Sequence, residues 1–199
     1  MQLINSDAAV VAVIADCNVV NEQTGTTVLY SSHYEPGSLI RGRQFLMDVE
    51  NGMAQTTHLS TLYNRKQAID TEFYRLDIIS SDFEYLYRLV LHGKVAYYKR
   101  VVGIWRLHGA NTVTTKSLAD SIKNLQLPGA VANYAAQNKE DLVKWKIGME
   151  QNMIAAILIE AKQAKRLVPV FFKLFNVYPF ALLRLLFNFS AVIKHLARR

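Results

Sequence analysis

Asp82 and His108 are the two side chains whose types and settings point to chemistry. The stretch Ser80-Ser81-Asp82-Phe83-Glu84-Tyr85-Leu86-Tyr87-Arg88-Leu89 reads as a helix start. Ser81 is placed to N-cap it, and Glu84, three residues on, can reach back to the Ser81 amide in capping-box spacing. Phe83, Leu86, Tyr87 and Val90 recur at helical intervals, and Gly93 falls where a left-handed C-terminal cap is expected. Asp82 then lies in the first turn, where unsatisfied amides and the helix dipole favour an ionised carboxylate. Such a group accepts a proton or binds a cation; the alternative is that it only completes a well-capped helix. His108 follows Trp105-Arg106 just beyond an expected strand, and strand ends in open α/β sheets are where ligands bind. A neutral imidazole there can complete a metal site while Arg106 faces phosphate oxygens; otherwise His108 is an ordinary surface residue.

Several chemistries are excluded by pattern. No G-x-x-x-x-G-K-[ST] or G-x-G-x-x-G run is present, so the common phosphate-cradling loops are missing. Neither a G-x-S-x-G elbow nor an H-E-x-x-H pair occurs. Cys17 is the single cysteine. It rules out an internal disulfide and a cysteine zinc site, suits a reducing compartment, and has no evident histidine partner for nucleophilic catalysis.

The elements that would position Asp82 and His108 alternate between strand and helix. Ala8 to Ala15 is a nearly all-apolar, Val-rich run, the pattern of a strand buried on both faces, and Asp16 is read as its end. Asn21 to Gly25 reads as a turn and Thr26 to Tyr30 as a returning strand. After Pro36-Gly37, Leu39, Phe45, Leu46 and Val49 mark the inner face of a helix stopping at Gly52. Leu59 to Tyr63 reads as a strand, with a helix starting near Lys66. Past the Asp82 helix, Val95 to Tyr98 and Val101 to Trp105 read as two further strands. Residues 8–108 therefore predict an α/β layer.

From Ser117 to Lys165 the composition is helical, with Leu142, Trp145, Met149, Met153 and Ile157 on one stripe that reads as packing surface. The net charge is +7, concentrated at the end of the chain. Residues 161–199 hold no Asp or Glu but include Lys162, Lys165, Arg166, Lys173, Arg184, Lys194, Arg198 and Arg199. That imbalance points to a negatively charged partner surface. Leu167 to Leu196 is rich in Phe and Leu, yet Lys173 and Arg184 leave uncharged runs of only about ten residues against the roughly 20 a spanning helix needs. An interfacial amphipathic pair on anionic head groups fits best. A tilted or re-entrant span, or packing against a missing part of the molecule, are the alternatives. The apolar faces argue against nucleic acid. The N-terminus shows no signal-peptide pattern.

Four segments, taken in order, resemble the C-terminal half of family 2 glycosyltransferases. They are Leu59 to Arg65, Ser81 to Leu89, Gly93 to Tyr98, and Trp105-Arg106-Leu107-His108-Gly109-Ala110-Asn111-Thr112-Val113-Thr114. The resemblance covers roughly residues 8–116. It implies a partial GT-A-like mixed sheet with flanking helices over residues 1–116, to which the composition adds a C-terminal helical extension over 117–199. It further implies inverting transfer from a nucleotide-sugar donor to a polysaccharide, glycolipid or other lipid-linked acceptor. Asp82 would be the general base, His108 would lie near a divalent metal (Mg or Mn) and the diphosphate with Arg106 beside it, and Trp105 would wall the sugar or acceptor subsite. Ser81 stands where the family has an acid. The D-x-D metal motif is absent, since Asp7 and Asp16 do not form one. The expectation is an incomplete transferase, inactive by itself and peripheral on the cytoplasmic face of the cell membrane. A non-catalytic interaction or regulatory protein on the same fold is the alternative.

Overall fold

The computed structural model describes residues 7–187. The chain divides into two compact units, Met1–Thr115 and Lys116–Arg199. The class is α/β: a mixed, curled five-stranded sheet with helices.

The sheet is organised on strand β1 (Val10–Asn21), whose first half is buried throughout. It pairs antiparallel with β2 (Thr26–Tyr30) across the turn closed by Gly25, antiparallel with the short β4 (Thr61–Tyr63), and parallel with β5 (Lys94–Leu107). Strand β3 (Leu39–Arg41) lies antiparallel on the far side of β5. The order is β2-β1-β5-β3, with β4 also on β1.

Asp16 does not end β1. It is buried in mid-strand, where its carboxylate accepts a 2.6 Å hydrogen bond from the Tyr97 hydroxyl on β5. A buried acid with a donor facing it need not break a strand. The two strands expected at 95–98 and 101–105 are one. Ala15 faces Tyr98 and Asp16 faces Val101, so Lys99-Arg100 is a bulge in a continuous strand. Leu39 belongs to β3 and is exposed, whereas the helix α1 (Gly42–Asn51) buries Phe45 and Leu46 and ends at a left-handed Gly52. Leu59 and Ser60 form a 3-10 turn (His58–Ser60) rather than a strand. Helix α2 (Arg65–Asp70) starts at Asn64, whose side chain accepts the Gln67 amide.

Helix α3 (Ser81–Val90) carries Asp82 in its first turn. Its cap residue is Ser80, and the expected capping box does not form because Glu84 turns inward. There Arg88 Nε donates to Glu84 Oε1 at 2.6 Å, both side chains being about 1–2 % exposed. The same guanidinium donates to the carbonyls of Thr71, Glu72 and Phe73, the last two at 2.9 and 3.4 Å. It thereby ties the segment before α3 to the helix. Gly93 is not a left-handed cap. It lets β5 enter the sheet beside Ala9, where an added Cβ would lie 2.2 Å from the Ala9 carbonyl oxygen.

In the second unit, beyond a short α4 (Thr112–Thr115) that closes the first, helix α5 (Leu118–Lys123) opens on a Ser117/Asp120 capping box. Helices α6 (Gln126–Gln137), α7 (Val143–Gln163), α8 (Leu167–Val177) and α9 (Pro179–Phe187) follow. Leu142, Trp145 and Ile157 of the expected stripe are buried, and Met153 packs against the core formed by Ile122, Leu125, Ile154, Leu174 and Leu182.

Arg88→Met should lower stability by about 3–5 kcal/mol, because it strands a buried Glu84 and removes the donor serving several carbonyls. Urea unfolding measures this; a loss under about 1 kcal/mol would show that the ion pair does not hold the segment.

Candidate functional site

Asp82 and Trp105 line one cleft of about 200 Å³, together with Thr57, His58, Leu59 and Phe83. Three elements build it. The 3-10 turn is held by hydroxyls. Thr57 Oγ1 accepts the Ser60 amide and lies 3.0 Å from Ser60 Oγ, the Thr61 hydroxyl donates to the Thr57 carbonyl at 2.7 Å, and Thr57 Oγ1 also meets buried Cys17 Sγ at 3.6 Å. Cys17 is thus a packing residue of β1. The turn lies over β5 at Gly103, where a Cβ would sit 3.2 Å from Leu59. The first turn of α3 brings Asp82 and Phe83, and the carboxyl-terminal part of β5 brings Trp105. In the β1–β5 parallel pair, that is the end at which ligands bind in open α/β sheets.

Asp82 is half-buried, and its Oδ1 accepts the Phe83 amide at 2.8 Å. Among the described residues its Oδ2 has no hydrogen-bond partner. His58, which sequence reasoning passed over, also lines the cleft, with its Nε2 3.1 Å from the Tyr63 hydroxyl. Nothing local marks it, since His58 shares no spacing with Asp82 or Trp105; a tertiary contact brings it in.

An aromatic layer lies along α3. Tyr85 is fully buried, stacks on Phe73 at 4.8 Å between centroids, and meets Tyr63 and Tyr74 edge-on. Its hydroxyl is buried with no hydrogen-bond partner among the described residues. Burial, reinforced by the neighbouring Tyr63, pushes the Tyr85 phenol up. Burial, then Tyr30 and Asp82, does the same to Tyr87. Tyr63 is raised by burial and, more weakly, by Tyr74 and Asp82.

Arg106 and His108 are not among the lining residues. Successive strand residues point to opposite faces, so Arg106 leaves the face that Trp105 takes. Its guanidinium pairs with Glu22, Nε to Oε1 at 2.6 Å. His108 sits in the turn after β5, where Asn111 Oδ1 accepts its amide and its Nδ1 accepts the Ala110 amide at 3.3 Å. Asp7 pairs with Lys94 at 2.7 Å, and that hydrogen bond holds its carboxyl below the ordinary range; with Asp16 on Tyr97, both acids are engaged within the sheet. Among the described residues no three His, Cys, Asp or Glu side chains come together to hold a metal ion.

Tyr85→Phe should be neutral or stabilising by up to about 1 kcal/mol in urea unfolding, since it deletes a buried hydroxyl without a partner. A clear destabilisation would mean the hydroxyl is satisfied. The raised phenols also set an alkaline limit. Their folded values lie above the unfolded tyrosine value of about 10. The stability they contribute is full below that pH and is lost as pH rises through the folded values. The urea midpoint should therefore fall above about pH 10, and phenolate absorbance should show these tyrosines lagging the rest.

Neither the scan against protein-family models nor the search for similar curated proteins returned a match, so the functional reading rests on the residues themselves.

Proposed function

We propose that the first unit works on the acceptor side of an inverting sugar transfer, with Asp82 as the general base. The observation that carries this reading is the shared cleft of Asp82 and Trp105. An indole wall suits the apolar face of a pyranose ring, and a carboxylate beside it can hydrogen-bond a hydroxyl on that ring's rim. The volume is below the roughly 300–1,000 Å³ of drug-sized sites, which matches one ring or part of one.

An acceptor hydroxyl gives its proton to Asp82 Oδ2 as its oxygen bonds to the anomeric carbon of the donor sugar. The bond from that carbon to the nucleoside diphosphate breaks, its electron pair leaves with the diphosphate, and the configuration inverts. His58, steadied by Tyr63, offers the acceptor a second polar contact. Arg106 and His108 do not line this cleft, Arg106 being turned to Glu22 on the other face of β5, and they take no part in the step. A second reading has the cleft hold a glycan without turning it over. Ser81, standing where the family has an acid, favours it.

The test is binding and turnover together. The full chain should give saturation-transfer NMR signals with oligosaccharides, and Trp105→Ala should remove them. Where nucleotide-sugar turnover is measured, Asp82→Asn should lower its rate about 10²–10⁴-fold with glycan binding retained. Glycan binding with turnover indifferent to Asp82→Asn would leave only the second reading; no glycan binding at all would sink both.

A further inference from the structure

Helices α8 and α9 are apolar on both faces. Their inner face, Val170, Leu174, Ala181, Leu182 and Leu185, is buried in the core they share with α7. Their outer face carries Val168, Phe172, Phe180, Leu183, Leu186 and Phe187, with Phe172 62 %, Phe180 77 % and Phe187 88 % exposed. Helices that pack on one side and meet water on the other normally turn polar residues outward. The charges these helices and their approach carry are basic: Lys162, Lys165, Arg166, Lys173 and Arg184 are all exposed, residues 161–199 contain no Asp or Glu, and the acid near Arg184 is Glu150 of α7. Lys194, Arg198 and Arg199 lie outside the described residues. No single helix among the described residues is long and apolar enough to cross a bilayer, and the α8–α9 pair is bent by 118°.

We propose that this outer face seats on an anionic lipid bilayer as a preformed wedge. Phe172, Phe180 and Phe187 enter the head-group boundary, and Lys173 and Arg184 lie against lipid phosphates. The inner face already has its core, so the helices need not leave the bundle to bind. A bilayer fits better than a second copy, because two such faces together would oppose like charges. It fits better than nucleic acid, because the aromatics sit among aliphatic side chains rather than along a basic groove. The inference does not rest on the sugar-transfer reading.

Sedimentation of the full chain with phosphatidylcholine vesicles, with and without phosphatidylglycerol, tests it. Binding should be at least about tenfold tighter to the anionic vesicles and weaken with salt. Phe172→Ser/Phe180→Ser should weaken it by about tenfold or more, with the circular-dichroism melt kept because both positions are exposed. Lys173→Glu/Arg184→Glu should weaken it by about tenfold or more, on anionic vesicles alone. Binding that ignores the phenylalanine substitutions, or that is equal on neutral vesicles, overturns the proposal. So does a dimer in light scattering that Phe172→Ser/Phe180→Ser dissolves while vesicles go unbound, or salt-sensitive RNA retention without vesicle binding.

Discussion

The buried guanidinium of Arg88 is the constraint on which the candidate site depends. A charge removed from water is tolerated only when it is paired and its donors are used. Arg88 meets both conditions, with Glu84 one turn earlier on α3 and the carbonyls of Thr71, Glu72 and Phe73 on the incoming segment. It also lies 5.9 Å from the Tyr85 ring centre. Helix, incoming segment and aromatic layer are thereby joined at one point. Since Asp82 is on the first turn of that helix, its direction is inherited from a contact buried further along.

The cleft itself is an assembly of ends and turns. A 3-10 turn stitched by threonine and serine hydroxyls, the first turn of α3 and the last residues of β5 each contribute part of the wall. Such parts are positioned by the rigid sheet beneath them rather than by their own propensity. The pleat of β5 makes the selection: Trp105 faces the cleft, and its neighbour Arg106 turns to Glu22. Residues adjacent in a motif are therefore assigned to different surfaces.

The helical unit solves a different problem. Its inner helix faces close a core of ordinary kind, and its outer faces are left with aromatic and aliphatic side chains among exposed lysines and arginines. Keeping such a surface in water has a hydrophobic cost that scales with area, and its excess of basic side chains discourages self-association. Both features act on the same two helices.

Much of this was legible in the order of residues. The Val-rich run of β1, the turn at Gly25, the α1 stop at Gly52, the start of α3 near Asp82 and the one-sided charge after residue 160 follow from local composition and period, which act over a few residues. What the chain order could not decide was partnership. Glu84 has capping-box spacing, yet it pairs with Arg88 because burial makes that pairing worth more than an exposed cap. Asp16 looks like a strand terminator, yet Tyr97 from another strand supplies its donor. Lys99-Arg100 looks like a break, yet the parallel register absorbs it as a bulge. His58 enters the cleft only through packing. In each case the energy of a polar group is set by what faces it across the fold, and that neighbour is distant in sequence.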